Sequence, residues 1–195
     1  MRDEDTGGHI MRVTEYTRVL CDALLDANMD GYWISFDDSE EIVSCSKLHD
    51  IGKIAIPDNV LLKPGKLSDE EFEIIKSHTT EGYKFFKEYY MIDDDVSDTY
   101  IIIAQEIAYS HHEKWNGRGY PQGLKEEEIP LSGRIVAIAD VYDALTSVRP
   151  YKKAFTHEKA CEIIIGDSGT HFDPYLIELF KESSDKFKRI REKIS

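Results

Sequence analysis

Apolar residues recur along most of the chain at the three- and four-residue spacing of amphipathic helices, and the alternating pattern of half-buried strands is scarce. Helices are predicted over residues 8–27, from 37–39 to about 50, from 68–71 to about 78, and over 97–112, 131–147, 156–165 and 174–190. This pattern predicts an all-α fold.

Cap and breaker residues mark where several of these helices begin and end. Residues 37–39 are two aspartates and a serine, which suit the N-cap of the second helix, with two glutamates in its first turn. That helix would carry the pair at 49–50 near its end. Residues 68–71, Ser-Asp-Glu-Glu, have the pattern of a capping box that opens the next helix. The segment 113–133, rich in glycine and proline, is too long for a simple connector, which indicates a functional or a disordered loop.

The bulk composition narrows the class of protein. A chain of 195 residues suits a single domain over 1–195 and is long enough to bury a sizeable core. The formal net charge of −14 argues against binding of duplex nucleic acid, which requires clustered cations. Three widely spaced cysteines without a Cys-x-x-Cys element favour a reducing cytoplasm. No apolar stretch reaches the roughly 18 residues of a membrane span, so direct membrane insertion is not expected.

Histidine and aspartate side chains carry the candidate chemistry, because neutral imidazoles and ionised carboxylates bind divalent transition metals. The pairs at 49–50 and 111–112 lie at the ends of strongly apolar helices, where unpaired polar groups are costly unless coordinated or hydrogen-bonded. His9 follows Asp5 by one helical turn, which would point both at one ion, and His78 is placed at or just beyond the end of its helix. The eight candidate ligands are Asp5, His9, His49, Asp50, His78, His111, His112 and Asp140.

Eight ligands are too many for one ion, which needs roughly four to six donors, some of them water. Consecutive residues on a helix point roughly 100° apart, so His111 and His112 can hardly serve one ion side by side. They could serve two ions held roughly 3.5–4 Å apart, the spacing of two-metal hydrolytic sites. Two or more metals are therefore predicted.

Three cationic side chains accompany the candidate ligands. Lys53 follows Asp50 by three residues and would overhang the metals. Arg149 and Lys152 follow the helix that carries Asp140. An arginine fork suits phosphate oxygens and a lysine supplies a point charge, so contact with phosphate is predicted for these positions.

Several motifs of this chain occur together in a known family. They are His49-Asp50-Ile51-Gly52-Lys53, His111-His112, Gly119-Tyr120-Pro121, IADVYDALT at 138–146 and Arg149-Pro150-Tyr151-Lys152. In this order they resemble the HD-GYP subgroup of the HD phosphohydrolase superfamily, over residues 2–175. The resemblance implies an HD-domain helical bundle with a C-terminal helical extension, and hydrolysis of cyclic di-GMP to linear pGpG and on to GMP. It also implies two or three divalent metal ions, most often iron or manganese.

The resemblance also assigns the ligands. Carried onto this sequence, they would be His9, His49, Asp50, His78, His111, His112 and Asp140, with Asp50 bridging two ions. Asp5 stands where three-metal members have a glutamate, one methylene longer, so two and three metals are both left open.

The hydrolysis expected on this basis gives each remaining candidate a role. A hydroxide that bridges two metals would attack phosphorus, while Lys53 holds a non-bridging oxygen. Arg149 and Lys152 would hold the second phosphate, and Tyr120 in the glycine-rich loop would line the base or ribose side of the pocket. Asp143 is expected to orient Lys53 or another group behind the ligands.

Other functions stay open. The substrate could be another cyclic dinucleotide such as 3′,3′-cGAMP, because loop backbone groups could read guanine or adenine as easily as side chains. A di-iron bundle could instead carry or sense oxygen, as hemerythrin-like proteins do, although it would not need the three cations. A regulator that binds nucleotide without hydrolysis is a third alternative. The domain is expected to be cut from a longer signalling protein with an N-terminal regulatory domain, and a homodimer is left open.

Overall fold

Helices form nearly all of the regular structure in the computed structural model, which describes residues 6–27, 31–90, 97–148 and 154–194. The α-helices within these ranges are α1 (Thr6–Ala27), α2 (Phe36–Ser46), α3 (Asp58–Leu61), α4 (Asp69–Tyr90), α5 (Asp98–Ser110), α6 (Leu131–Thr146), α7 (His157–Gly166) and α8 (Pro174–Lys193). Two short 3₁₀ helices span Ile51–Ala55 and Glu126–Glu128. The described residues contain no β-strand beyond isolated bridges, which confirms the all-α prediction.

Helix α6 forms the centre of the bundle. It packs against α1, α5 and α7, and its side chains Ile135, Ile138 and Tyr142 are completely buried. The ring of Tyr142 meets those of Tyr16 on α1 and Phe187 on α8 edge to face, with centroids 5.0 and 5.1 Å apart. Each such buried side chain contributes about 1.5–3 kcal/mol of hydrophobic stabilisation, so this apolar contact fixes α1 and α8 against α6.

Helix α2 begins earlier than its acidic residues suggested. Its N-cap is Ser35, whose Oγ accepts the backbone N–H of Asp38 at 3.0 Å, while the Asp38 carboxylate accepts the Ser35 N–H at 3.1 Å. The prediction of a cap at 37–39 is therefore wrong, because this reciprocal pair satisfies two otherwise unpaired N–H groups one turn earlier. Asp37 and Asp38, instead of the predicted Glu40 and Glu41, occupy the first turn.

The pair at 49–50 follows α2 instead of lying within it. The helix ends at Ser46, and His49 and Asp50 lie in the turn that leads into the 3₁₀ helix Ile51–Ala55. The 3₁₀ helix lies against α4, which brings the pair in the preceding turn to the junction of two elements.

Helix α4 confirms its predicted start and extends beyond its predicted end. The Ser68 N–H donates to Glu71 Oε2 at 2.7 Å and the Glu71 N–H donates to Ser68 Oγ at 3.2 Å, as expected of a capping box. No proline follows within these residues, and the helix continues to Tyr90. His78 therefore lies in the middle of α4, not at or beyond its end as predicted.

The long loop after α5 has a defined path. The backbone N–H groups of Trp115 and Asn116 donate to the carbonyls of His171 and Thr170, both at 3.0 Å. An isolated antiparallel bridge pairs Asn116 with Lys125. These bonds hold the loop across the segment between α7 and α8, beside the end of α5. None of the described helices combines the length and the apolar character needed to cross a membrane.

Candidate metal centre

Seven of the predicted ligands converge into two groups of potential metal donors. Group A consists of His9 from α1, His49 from the turn after α2, and Asp140 from α6. Group B consists of Asp50, His78 from α4, and His111 and His112 from the end of α5. Within each group the ligand atoms all lie within 4.8 Å of one another.

The distances in group A suit a single ion. His9 Nε2 lies 3.3 Å from His49 Nε2 and 3.8 Å from Asp140 Oδ1, and His49 Nε2 lies 4.0 Å from the same oxygen. Ligand atoms bound at roughly 2.0–2.2 Å from one metal are themselves roughly 3–3.5 Å apart. A small contraction of group A would bring its donors to that spacing.

Asp50 faces both groups. Its Oδ1 lies 3.3 Å from His78 Nε2 and 4.0 Å from His111 Nε2, both in group B. Its Oδ2 lies 3.3 Å from His49 Nε2, in group A. One oxygen directed at each group is the arrangement that a bridging carboxylate requires.

Hydrogen bonds to Nδ1 orient three of the imidazoles. The Nδ1 atoms of His49, His78 and His111 lie 2.8, 2.7 and 2.8 Å from backbone carbonyl oxygens of their own helical turns. A proton on Nδ1 that is donated to such a carbonyl leaves the lone pair of Nε2 free to bind a cation. The three Nε2 atoms are those that face the group A and group B partners.

His9 has a side-chain partner behind it. Its Nδ1 lies 2.8 Å from Asp143 Oδ2. The buried Asp143 carboxylate also accepts from Arg12 Nε at 2.6 Å and Nη2 at 3.1 Å. Burial favours a higher pKa for Asp143, but the bonds from His9 and Arg12 hold that pKa below its usual value. Asp143 thus contacts His9, whereas Lys53 contacts Asp50, with Nζ 2.6 Å from Oδ2. The orienting role of Asp143 stays a prediction.

The electrostatics of the two groups suit cations. Burial lowers the pKa values of His78, His111 and His112, that of His112 to about 3, so these imidazoles are neutral at pH 7 as ligands must be. Burial acts in the same direction on His49, but the neighbouring carboxylates raise its pKa to about 9. Burial would raise the pKa of Asp50, yet His49 and Lys53 hold it well below its usual value. The carboxylates that favour a proton on His49 would also favour a divalent cation, and the nitrogen and oxygen donors of both groups suit such an ion.

A close approach of two backbones brings Asp50 to His78. Gly52 lies in the 3₁₀ helix Ile51–Ala55, and a Cβ at this position would overlap the carbonyl oxygen of His78 and the backbone nitrogen of Gly82. Only glycine permits this contact. Gly52 thus determines how near the turn that carries Asp50 comes to α4.

Tyr120 joins the loop to group B. Its ring stacks on His112 with centroids 4.8 Å apart and planes inclined by 28°, and its backbone N–H donates to the His112 carbonyl at 3.2 Å. Burial and the carboxylates of Asp50 and Asp140 raise the pKa of its hydroxyl. The loop is held by Glu113, whose Oε1 accepts the N–H groups of Gln122 and Gly123 at 2.7 and 3.1 Å.

Sequence reasoning missed two residues that support the ligands, Arg12 and Glu113. Arg12 follows His9 by three positions on α1, so helical spacing could have placed it near the same site. No local sequence pattern indicates that the Glu113 carboxylate accepts hydrogen bonds from the backbone of the loop. Asp5, Arg149 and Lys152 lie outside the described residues, so their predicted roles stay predictions.

Comparison with known proteins shows the family to which the chain belongs. The family model described as HD domain matches residues 37–176. The chain is 46% identical over 190 residues to a cyclic di-GMP phosphodiesterase of Vibrio cholerae, covering 97% of the chain and 38% of that protein. It is 47% identical over 157 residues to one of Thermotoga maritima, covering 78% and 40%. A 3′3′-cGAMP-specific phosphodiesterase of Vibrio cholerae is 40% identical over 190 residues, covering 97% and 34%.

Solved structures share the fold. An HDG"Y"P protein from Bdellovibrio bacteriovorus superposes with a TM-score of 0.62 at 23% identity, covering 95% of this chain and 55% of that one. A cyclic GMP-AMP specific phosphodiesterase of Vibrio cholerae gives a TM-score of 0.58 at 21% identity, covering 94% and 48%. The chain therefore spans about half or less of the proteins that it matches.

The fold and the two donor groups define a helical histidine–aspartate metal-binding domain. The position of Asp50 between the two groups and the paired histidines distinguish it from a bundle with a single donor group. The chain belongs to the HD domain family, in its HD-GYP subgroup.

Proposed function

We propose that this domain is a metal-dependent phosphodiesterase that hydrolyses cyclic di-GMP to linear pGpG and then to GMP. The observation that carries the proposal is the position of Asp50, which directs one oxygen to each donor group. Relatives at 41–47% identity are named cyclic di-GMP phosphodiesterases or probable ones, which supports the choice of substrate.

Group A and group B together would hold two divalent ions, with iron or manganese proposed because imidazole and carboxylate donors suit both. A third ion would depend on Asp5. Divalent ions held by group A and group B would supply a water-derived nucleophile at neutral pH and would neutralise charge on the phosphate.

The chain's own residues would bind and orient the substrate. Lys53 has a partly exposed side chain beside Asp50, from which its ammonium can reach a non-bridging phosphate oxygen. Tyr120 would line the base or ribose side, next to His112. Arg149 and Lys152 would hold the second phosphate. Asp143 would keep the Nε2 of His9 directed at the other donors of group A, through its hydrogen bond with His9 Nδ1.

A second candidate substrate is 3′,3′-cGAMP, favoured by the 40% identity to a protein named as specific for it. An oxygen carrier or sensor is disfavoured, because its metals would not need a lysine ammonium 2.6 Å from Asp50.

We propose further that the domain works in the cytoplasm, which the unpaired Cys21, Cys45 and Cys161 support. Control by an N-terminal regulatory domain is proposed because the relatives named above are much longer than the matched region. A homodimer stays a prediction.

Replacement of Asp50 tests the function. Asp50→Asn should abolish hydrolysis of cyclic di-GMP by protein purified without oxygen and supplied with Fe²⁺ or Mn²⁺, because the charge shared by the two groups is lost. The helical circular dichroism should be unchanged, since the core does not involve this side chain. Asp22→Asn, an exposed aspartate on α1, is the matched control and should retain activity. Unchanged turnover in Asp50→Asn, or an inactive metal-loaded wild type, would overturn the proposal.

A further inference from the structure

Helix α4 presents an aromatic and cationic surface next to Tyr120. Phe72 and Lys76 lie one turn apart on α4, and Phe72 is 48% exposed although it is a large apolar residue. The Phe72 ring meets Tyr120 edge to face, with centroids 6.5 Å apart. Lys76 Nζ lies 5.6 Å from the centroid of each ring. We call these three residues the α4 platform.

The α4 platform is continuous with the metal centre. Tyr120 stacks on His112 of group B, and its ring is also in edge-to-face contact with Phe72. The rings of His112, Tyr120 and Phe72 therefore form a series that leads from a metal ligand to an exposed part of α4. A base that is joined through one ribose to a phosphate at the metals would lie near this series.

The chemistry of the platform matches a purine base. Aromatic side chains stack on bases, which contributes about 1–3 kcal/mol per base. Guanine presents two acceptors, O6 and N7, to a cation, whereas adenine carries an amino donor in place of O6. An ammonium above the two rings would therefore favour guanine.

Lys76 also has an ion-pair partner, Glu73, with Nζ 2.5 Å from Oε1. The Glu73 side chain is 68% exposed, so the pair is screened by solvent and its loss costs little. The same spacing recurs further along α4 in Lys84 and Glu81, 2.8 Å apart. Lys76 differs from a lysine in an ordinary surface ion pair because its ammonium also faces the rings of Phe72 and Tyr120.

We propose that the α4 platform stacks a purine base of the substrate and that Lys76 determines specificity by favouring guanine over adenine. This inference rests on the proposed function and adds Phe72 and Lys76 to the residues that contact the substrate.

Substitution of Lys76 tests the specificity. Initial rates are measured for metal-loaded protein with cyclic di-GMP, 3′,3′-cGAMP and cyclic di-AMP. Lys76→Met removes the ammonium and keeps the aliphatic stem, so kcat/KM for cyclic di-GMP should fall about tenfold and that for cyclic di-AMP by less than about twofold. Lys76→Arg should retain the guanine preference, because a guanidinium also donates to O6 and N7. Lys84→Met is the matched control and should change neither ratio.

Substitution of Phe72 tests the stacking. Phe72→Leu should raise KM about fivefold for all three nucleotides with kcat retained, because stacking does not distinguish the bases. Phe85→Leu, at a position on α4 that is 46% exposed, is the matched control and should leave KM unchanged.

The outcomes separate the two proposals. A metal-loaded wild type that hydrolyses none of the three nucleotides would overturn the proposed function and the platform's substrate with it. A wild type that hydrolyses cyclic di-GMP, with Lys76→Met and Lys84→Met giving equal nucleotide ratios, would overturn the role of Lys76 alone. Equal KM values for Phe72→Leu and Phe85→Leu would overturn the stacking.

Discussion

The two carboxylate oxygens have different surroundings in Asp50, and the same is true of Glu113. Asp50 directs one oxygen to group A and the other to group B. Glu113 accepts two backbone N–H groups of the loop with Oε1, while its buried Oε2 has no hydrogen-bond partner among the described residues. Burial raises the pKa of Glu113. One carboxylate therefore organises the donor groups, and the other holds the loop that carries Tyr120.

Glu113→Ala should destabilise the domain by about 1–3 kcal/mol and raise KM, because the N–H groups of Gln122 and Gly123 lose their acceptor and Tyr120 loses its alignment on His112. Glu113→Gln keeps an acceptor oxygen and should retain most of the stability and a KM near that of wild type. Urea unfolding and steady-state kinetics measure both effects. Equal losses in the two variants would contradict the acceptor role.

At the scale of elements, the centre is built where some helices end and from the middle of others. Periodicity and capping signals predicted most helix spans, including the box at Ser68, because these signals are local. The Ser35 cap was missed although Ser35 and Asp38 form the same local pattern, and the position of His78 within α4 was also missed. Contacts such as that of Gly52 with α4 depend on residues distant in sequence, so no local pattern contains them.

Gly52→Ala should force the 3₁₀ helix Ile51–Ala55 away from α4, because a methyl group has no room against the His78 carbonyl and Gly82. The expected result is a loss of about 1–3 kcal/mol in unfolding free energy and reduced metal content, since Asp50 moves from group B. Urea denaturation and elemental analysis measure the two. Gly166→Ala, at a helical position with open space around it, is the control and should lose neither. Full metal content in Gly52→Ala would show that this contact does not position Asp50.

At the scale of the whole molecule, residues from α1 to α6 converge on one centre, and this convergence was predicted from the family resemblance more than from periodicity. Spacing alone could suggest that several ions are bound, but the assignment of each ligand to group A or group B depends on how the helices pack. The charge balance of the fold also sets its behaviour in acid. His171 illustrates this, since burial and the nearby Lys114 charge lower its pKa to about 4.

His171 should make the folded protein less stable as pH falls. Its folded pKa lies below the value of about 6.5 expected in the unfolded chain, so below pH 6.5 the unfolded state takes up a proton that the folded state excludes. Stability is lost as pH falls from 6.5 towards 4. His171→Phe keeps an aromatic ring to stack on Phe172 and should reduce this loss by about 2 kcal/mol between pH 7 and 4.5, measured by urea unfolding. A constant difference between the two proteins across this range would refute the assignment.

The chain of bonds from His9 through Asp143 to Arg12 continues to the carbonyl oxygen of Ile194, which Arg12 Nη1 reaches at 3.2 Å. An affinity tag placed next to Ile194 would therefore disturb a hydrogen bond that only two side chains, those of Arg12 and Asp143, separate from group A. Affinity handles for this domain belong on another part of its surface, such as the exposed segment at 63–66.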